Sequence, residues 1–357
     1  MKKILFAAAL LIVACTPKEA APSVYTLANE AGMEVKITNF GGRIMSIVVP
    51  DKDGVKRDVV LGFDKVEDYY PENNQTDFGA AIGRYANRIG QGLITIDGVT
   101  TQLPRNNFGH CLHGGPTGWQ YQLYEVVEAD ASHLKLLRKS PDGDNNFPGA
   151  VEAYVTYTLT PDCAIDIAYE ATTDKPTVIN MTNHSYFNLS GDPANHSVTE
   201  DILYVNASNF TPVDSTFMTT GEIRPVEGTP LDFTEPKLIG RDINAPCEQL
   251  KNGNGYDHNW CLDTAGDISK VACELYCPQT GIDLKVYTDE PGVQVYSGNF
   301  LDGTVTGKGG VVYNQRAAIC LETQHYPDSP NKADWPSVVL RPGETYRSHC
   351  IFAFSVK

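Results

Sequence analysis

The stretch "AVEAYVTYTLTPDCAIDIAYEA", residues 150–171, decides the fold class of this chain. Apolar and polar residues alternate along two runs, 150–160 and 163–171, and both runs are rich in β-branched and aromatic residues. This period of two is typical of β-strands with one buried face. Only the turn formers Pro161 and Asp162 separate the two runs, so we expect neighbouring strands with no helix between them.

The same pattern recurs along most of the chain, in "MEVKITNF", "RIMSIVV", "LITIDG", "YQLYEVVEA", "HLKLLRKS", "IDLKVYT" and "HCIFAFSV". The segments between these runs are rich in turn residues, as in "SPDGDNNFPG" and "KNGNGYD". Helical periodicity is scarce, and "KVEDYYPEN" (65–73) is the candidate for one short helix. We therefore predict an all-β fold, a large antiparallel β-sandwich or barrel, and exclude a parallel α/β sheet.

The N-terminus "MKKILFAAALLIVAC" has the pattern of a secretory signal: two lysines, an apolar run over 4–14, and a small residue before Cys15. The apolar run is too short to span a bilayer as a helix. "LIVAC" also resembles a bacterial lipobox, so we favour lipidation of Cys15 over ordinary cleavage nearby. We expect a signal peptide over 1–15, a tether over 16–22 and one domain over 23–357, which makes the protein an exported, membrane-anchored lipoprotein of the periplasm or cell surface.

The remaining composition narrows the class of protein. A formal net charge of −16 argues against nucleic-acid partners, because phosphate binding needs a basic face. Eight cysteines follow Cys15, and several lie in strand-like runs, so we expect mostly buried thiols. No cysteine pair has zinc-finger spacing with a matching second pair, so we expect no structural metal. We see no linker or internal repeat, and expect a monomer or weak dimer.

Polar clusters stand at strand ends and turns, where functional side chains concentrate on a β scaffold. "TNHSYFNLSG" (182–191) delivers His184 just after the β-branched run "PTVIN". Glu322 follows the apolar run "AAICL", so a buried strand would carry a carboxylate that needs a partner. The other clusters are "GRYANRIGQG" with Asn87 and Arg88, "CLHGGPTGWQ" with His113, "GYDHNW" with Asp257 and "EPGVQVYSGN" with Gln294. Each residue taken alone has an ordinary structural explanation.

Taken together, the motifs "GRYANRI", "LHGG", "TNHSYFNL", "GYDHN", "PGVQVYSGNFLDG" and "LETQHYPDSPN" resemble those of the aldose 1-epimerase (galactose mutarotase) family. They stand in the family's order from Gly83 to Pro330. "LHGG" alone is weakly specific, whereas six ordered motifs are specific. One local departure is Cys111, two residues before His113. The resemblance implies the galactose mutarotase-like supersandwich fold.

The resemblance also implies an activity, the interconversion of α and β anomers of free aldoses such as glucose and galactose. It assigns the base to Glu322 and the acid to His184, and these two exchange roles when the sugar ring closes. It assigns the sugar pocket to Asn87, Arg88, His113, Tyr186, Asp257 and Gln294. Proton transfer and bond rotation require neither a metal nor an organic cofactor, so we expect none.

Two other readings stay open from the residues, and a third is excluded. A non-catalytic carbohydrate-binding module would keep the sugar-binding residues without needing both an acid and a base. A glycosidase needs a carboxylate pair, which Asp257 and Glu322 could mimic. A phosphosugar epimerase would gather additional Arg or Lys for the phosphate, and the motifs contain no such cluster.

Overall fold

A computed structural model describes residues 21–357. The predicted signal peptide, Cys15 and the first part of the predicted tether lie outside the described residues. Within residues 21–357 no helix is long and apolar enough to cross a membrane.

The described residues form 27 strands, one short α-helix and eight 3-10 helices. The first strands are β1 (Val24–Ala28), β2 (Glu34–Thr38), β3 (Arg43–Pro50), β4 (Lys56–Asp58), β5 (Ala80–Ile82), β6 (Arg88–Ile89), β7 (Leu93–Ile96), β8 (Val99–Gln102) and β9 (Cys111–Leu112). The middle strands are β10 (Glu125–Ala129), β11 (His133–Ser140), β12 (Val151–Leu159), β13 (Ala164–Thr173), β14 (Thr177–Val178), β15 (Thr182–His184), β16 (Tyr186–Phe187), β17 (Ile202–Val205), β18 (Asn209–Thr211) and β19 (Arg224–Pro225). The last strands are β20 (Lys237–Leu238), β21 (Asp257–Cys261), β22 (Cys273–Tyr276), β23 (Ile282–Thr288), β24 (Gly292–Tyr296), β25 (Ile319–Gln324), β26 (Val339–Leu340) and β27 (Tyr346–Val356).

The helical segments are short and lie in the connections. The α-helix α1 spans Glu248–Gly253. The 3-10 helices span Val66–Tyr69, Gly90–Gly92, Trp119–Tyr121, Asp144–Asn146, Val198–Glu200, Ile239–Arg241, Lys308–Gly310 and Ser329–Asn331. The predicted helix within 65–73 is therefore a single 3-10 turn, and α1 was not predicted, because its six residues are too few to show a helical period.

The hairpin that decided the fold class forms as predicted. β12 and β13 pair antiparallel from Val151 opposite Thr173 to Leu159 opposite Ile165. Every second residue of β12 is buried, beginning at Val151. β12 and β13 are central strands of a nine-stranded sheet with the order β10-β11-β12-β13-β27-β23-β22-β17-β20. All ladders of this sheet are antiparallel.

A six-stranded sheet, β16-β25-β24-β21-β18-β19, packs against the nine-stranded sheet, and a four-stranded sheet, β1-β2-β3-β4, completes the main layers. Apolar side chains of all three sheets belong to one buried cluster. Phe187 of β16 meets Phe352 of β27 edge to face, with ring centroids 4.9 Å apart. The predicted antiparallel β-sandwich is therefore confirmed, and its core lies between the two large sheets.

The cysteines of the described residues are all free thiols. Six of the eight are buried, as expected from their strand-like runs, and Cys163 and Cys247 are half-buried.

Candidate active site

Three adjacent strands of the six-stranded sheet present polar side chains on one face. Gln294 of β24 stands directly opposite Glu322 of β25. On the other side, Gln294 stands opposite Asn259 of β21, and Asp257 lies two residues from Asn259 on the same strand. Because side chains two residues apart share a face of a sheet, Asp257, Gln294 and Glu322 point the same way. The Gln294 amide donates a 2.6 Å hydrogen bond to Asp257 Oδ1.

His184 is the last residue of β15, which pairs with β5 so that His184 stands opposite Ala80. Its ring stacks on Tyr186, with centroids 5.1 Å apart and an interplanar angle of 24°. His184 Nε2 lies 3.5 Å from Glu322 Oε1. The two groups are 5% and 2% exposed, so this contact is buried at the floor of the site.

Asn87 and His113 hold each other at the loop side. The Asn87 backbone N–H donates to His113 Nδ1 over 3.1 Å, and the His113 N–H donates to the Asn87 carbonyl over 3.1 Å. Both residues have left-handed backbones, with φ of 60° and 50°, a conformation that non-glycine residues adopt at some cost and often near functional sites. Because Nδ1 accepts, the neutral His113 ring carries its proton on Nε2 and can donate there.

Arg88 follows Asn87 and is also buried. Its Nε donates to Asn107 Oδ1 over 3.1 Å, and its guanidinium lies 5.0 Å from the centroid of the Phe217 ring. Burial lowers the Arg88 pKa, and the carboxylates of Asp257 and Glu322, which line the same cleft, oppose that lowering.

All eight residues predicted for the catalytic pair and the sugar pocket line one cleft of about 390 Å³. The cleft residues are Gln75, Asp77, Asn87, Arg88, Asn107, Phe108, Leu112, His113, His184, Tyr186, Asp257, Gln294, Tyr296, Phe300 and Glu322. A larger hollow of about 480 Å³ lies elsewhere, around residues 243–255 and Arg316, and contains none of the eight. Residues more than 200 positions apart in sequence therefore meet at a single polar site.

Burial shifts the proton affinities of the site. It raises the pKa of Glu322 well above its usual range, with the negative charges of Asp257 and Asp77 adding to the rise. It lowers the pKa of His184, and Asp77 opposes that effect. The His113 pKa falls to about 3, mainly by burial, so His113 is neutral near pH 7. Burial moves His184 in the same direction, but the carboxylate of Asp77 is a neighbouring charge that favours its protonated form.

Sequence reasoning missed several residues of the cleft. Tyr296 lies inside a quoted motif, and Asn107 was missed although its amide orients Arg88. Phe108 and Phe300 stand at the cleft mouth and are 60% and 52% exposed. Asp77 lies in "TDFGA", which carries no local signal of function because its neighbours in space come from other parts of the chain.

One further cluster of titratable groups lies outside the cleft. Single donor atoms of His196, Asp201 and Cys277 lie within 4.8 Å of one another, and all three residues are buried. Such a set could hold a metal ion, but His196 Nε2 already forms a 2.8 Å hydrogen bond with Asp201 Oδ1. We describe it as a buried ion pair next to a thiol.

Comparisons with known proteins agree over nearly the whole chain. The family model described as aldose 1-epimerase matches residues 23–353. The chain is 40% identical to the galactose mutarotase of Rattus norvegicus over 328 residues, covering 91% of this chain and 92% of that protein. It is 39% identical to the aldose 1-epimerase of Escherichia coli (strain K12), covering 92% and 94%. The crystal structure of an aldose epimerase homologue from C. elegans superposes with a TM-score of 0.85 at 31% identity, covering 94% and 99% of the two chains.

Proposed function

The chain belongs to the aldose 1-epimerase family, which makes it an isomerase that interconverts aldose anomers, and from this premise we propose how its cleft performs the reaction. Glu322 is the general base and His184 the general acid. The substrates are free aldohexoses, with glucose and galactose as the first candidates. No metal or organic cofactor takes part in the proposed steps.

The observation that carries this proposal is the 3.5 Å separation of His184 Nε2 and Glu322 Oε1. Anomer exchange moves protons on two oxygens, the C1 hydroxyl and the ring oxygen, and both are bonded to C1. An acid and a base for these oxygens must therefore both lie close to C1 of a bound sugar. A buried imidazole next to a buried carboxylate meets that requirement.

Ring opening uses both groups at once. Glu322 accepts the proton of the C1 hydroxyl while the His184 imidazolium donates a proton to the ring oxygen, and the bond between C1 and the ring oxygen breaks. C1 becomes an aldehyde, and rotation about the C1–C2 bond exposes its other face.

Ring closure exchanges the roles of the two groups. The neutral His184 accepts the proton of the C5 hydroxyl as that oxygen attacks C1, and the protonated Glu322 returns its proton to the former carbonyl oxygen. Both side chains regain their starting states, and each general acid or base is worth roughly 10²–10⁴ in rate.

The remaining polar groups suit the recognition of sugar hydroxyls, which both donate and accept hydrogen bonds. Arg88 donates as a planar fork, the Asp257 carboxylate accepts, and the amides of Asn87 and Gln294 do both. Neutral His113 donates from Nε2 to an oxygen that undergoes proton transfer. Tyr186 forms a wall beside His184.

Two alternative functions are less well supported. A carbohydrate-binding module has no need of a buried acid and base 3.5 Å apart. A glycosidase would use Asp257 and Glu322 as its carboxylate pair, yet the partner of Asp257 is the Gln294 amide, and the partner of Glu322 is an imidazole.

Polarimetry on freshly dissolved α-D-glucose and α-D-galactose tests the proposal. The protein should speed the approach to the equilibrium rotation and should release no sugar from aryl glycosides, because its substrate needs a free anomeric hydroxyl. Rotation that stays on its spontaneous course, with tight sugar binding, would identify a binding module instead. Cleavage of aryl glycosides would identify a glycosidase.

We also propose that the protein is exported and anchored through a lipid on Cys15, with the domain beginning at residue 23 and acting as a monomer or weak dimer. Support comes from the lysines, the apolar run and the small residue that precede Cys15 in the sequence. Mass spectrometry of the native N-terminus should find a lipid-modified Cys15, carrying several acyl chains because one alone anchors weakly. An unmodified terminus at a later residue would contradict this proposal.

A further inference from the structure

We propose that Asp77 is a positioning residue of the reaction: its carboxylate keeps the shared proton of the catalytic pair on His184, so that Glu322 is free to act as the base. This inference rests on the proposed roles of Glu322 and His184. None of the family motifs quoted above contains Asp77.

The β-ladder beside the site brings Asp77 to His184. His184 stands opposite Ala80 in the pairing of β15 with β5. The Gly79 N–H donates to the His184 carbonyl over 2.9 Å, and the Asn183 amide donates to the Gly79 carbonyl over 3.0 Å. Asp77 lies two residues before Gly79. The ladder that ends at His184 therefore also fixes the backbone that directly follows Asp77.

A buried arginine holds the backbone on both sides of Asp77. Arg43 is 0% exposed, and its guanidinium donates to the carbonyls of Thr76 and Phe78, each over 3.0 Å. It also donates to the Gln120 carbonyl over 2.8 Å. The Asp77 carbonyl itself accepts from the Ala80 N–H over 3.0 Å. Because the backbone is held in this way, the Asp77 side chain has a defined place in the cleft.

No hydrogen bond to Oδ1 within the described residues gives the Asp77 carboxylate a structural role. Its Oδ1 atom is buried and makes no hydrogen bond within the described chain, although an unpaired buried carboxylate oxygen is costly. Asp77 lines the cleft, and its carboxylate, one His113 nitrogen and one His184 nitrogen lie within 4.8 Å of one another. A carboxylate at that distance from an imidazole favours the charged imidazolium.

Other charged and titratable groups also face the catalytic pair and must be weighed. They are Cys320 from β25, Tyr186 from β16, Asp257 from β21, Tyr296 from β24, Arg88 and His113 from the segments 83–89 and 111–118, and Arg43 of β3. Arg43 disfavours the charged His184, and Arg88 favours the ionised Glu322. Besides Glu322 itself, Asp77 is the carboxylate that lies within 4.8 Å of His184, whereas the corresponding set around Glu322 consists of His184 and Cys320 and does not include Asp77.

This difference determines where the shared proton resides. Burial favours the uncharged arrangement, a protonated Glu322 beside a neutral His184, which lacks both the base and the acid needed for ring opening. Because Asp77 shares a 4.8 Å set with His184 that does not include Glu322, its charge favours the arrangement with an ionised Glu322 and a charged His184. Without its charge, both pKa values should fall, because a negative neighbour raises the pKa of an imidazole and of a carboxyl alike.

The test is the pH profile of kcat/KM for mutarotation in Asp77→Asn, measured on the full domain. Both limbs of the profile should move to lower pH, the alkaline limb by about 1 pH unit, which is about a tenfold loss of rate on that limb. Asp77→Glu, which keeps the charge, should restore the wild-type limbs in part. Asp162→Asn, in the exposed turn of the β12–β13 hairpin, is the matched control and should leave the profile unchanged.

An Asp77→Asn enzyme with a lower rate and unmoved limbs would reduce Asp77 to a structural residue and overturn the inference, as would a wild-type profile. If Asp77→Asn does not fold, Asp77→Ser provides the same loss of charge with a smaller side chain and the same two outcomes. A wild-type protein without mutarotase activity would instead contradict the proposed function, so the two failures are distinguishable.

Discussion

Two halves of the cleft face each other and hold their functional groups by different means. The strand half consists of Asp257, Gln294 and Glu322, and the loop half of Asp77, Asn87, His113 and Arg88, the last at the start of the two-residue strand β6. Ladder hydrogen bonds fix the backbone of the strand half, whatever its side chains are. In the loop half, side chains fix the backbone: Arg43 binds the carbonyls around Asp77, and the His113 ring accepts the Asn87 N–H.

Because of this difference, substitutions in the two halves should have different consequences. A substitution in the strand half should change the reaction and leave neighbouring groups in place. A substitution in the loop half should also disturb groups that the lost side chain was holding. His184 stands between the halves, because a short ladder carries its backbone and the loop half supplies the charge beside its ring.

The largest effect should come from the strand half, with Glu322→Gln. The amide keeps the shape of the side chain but cannot accept a proton, so kcat for mutarotation should fall by at least about 10². Sugar binding should survive, and the free energy of unfolding should stay equal or rise, because a buried carboxyl with a raised pKa is replaced by a neutral group. Polarimetry and thermal unfolding check both expectations. A Glu322→Gln enzyme with the wild-type rate would remove Glu322 from the reaction.

At the boundary of the halves, His184→Asn should lower kcat by a similar factor, at least about 10². Because the acid and the base act in one step, the double variant with Glu322→Gln should be scarcely slower than the worse single variant. The same polarimetric assay measures all three proteins. Multiplying losses in the double variant would mean that the two residues act in separate steps.

In the loop half, Arg88→Lys should cost about tenfold in kcat/KM, since one charge-assisted hydrogen bond to a sugar hydroxyl is worth about 1.5 kcal/mol or more. The lysine ammonium keeps the charge. It lacks the planar fork with which the Arg88 guanidinium can donate to Asn107 and to a sugar hydroxyl at the same time. Asn107→Ala is the companion variant and should lower kcat/KM in the same direction, because Arg88 loses the amide that orients it. Wild-type kinetics for Arg88→Lys would leave Arg88 with a structural role only.

The smallest effect should come from the rim of the loop half, with Phe108→Gly. Phe108 is 60% exposed and has a left-handed backbone with φ of 45°, which costs of order 1–3 kcal/mol. Glycine relieves that strain but adds freedom to the unfolded chain and loses the contact with Phe217. We expect hexose kinetics within about twofold of wild type and stability within about 1 kcal/mol. A large loss of activity on free hexoses would mean that Phe108, at the rim, also contributes to the reaction.

The strand half was largely predictable from sequence, and the loop half only in part. Glu322 stood out because a carboxylate follows an apolar run, and the motifs supplied Asp257 and Gln294. Asn87 and His113 were also identified by motif, yet their left-handed backbones and mutual hydrogen bonds were not. Asp77 was missed, since no pattern within "TDFGA" shows that Arg43 and His184 will flank it.

By itself, the sequence determined the β class, the antiparallel arrangement and the set of residue types for sugar chemistry, because strand periodicity and turn residues are local properties. Only the tertiary structure decided which groups meet. The 3.5 Å contact of His184 with Glu322 joins two strands that lie 138 positions apart in the chain, and their altered pKa values come from burial among side chains of other segments. Distance and dielectric are properties of the packed molecule, and for this reason only the packed molecule brings together the groups to which we assign the roles of acid, base and charge partner.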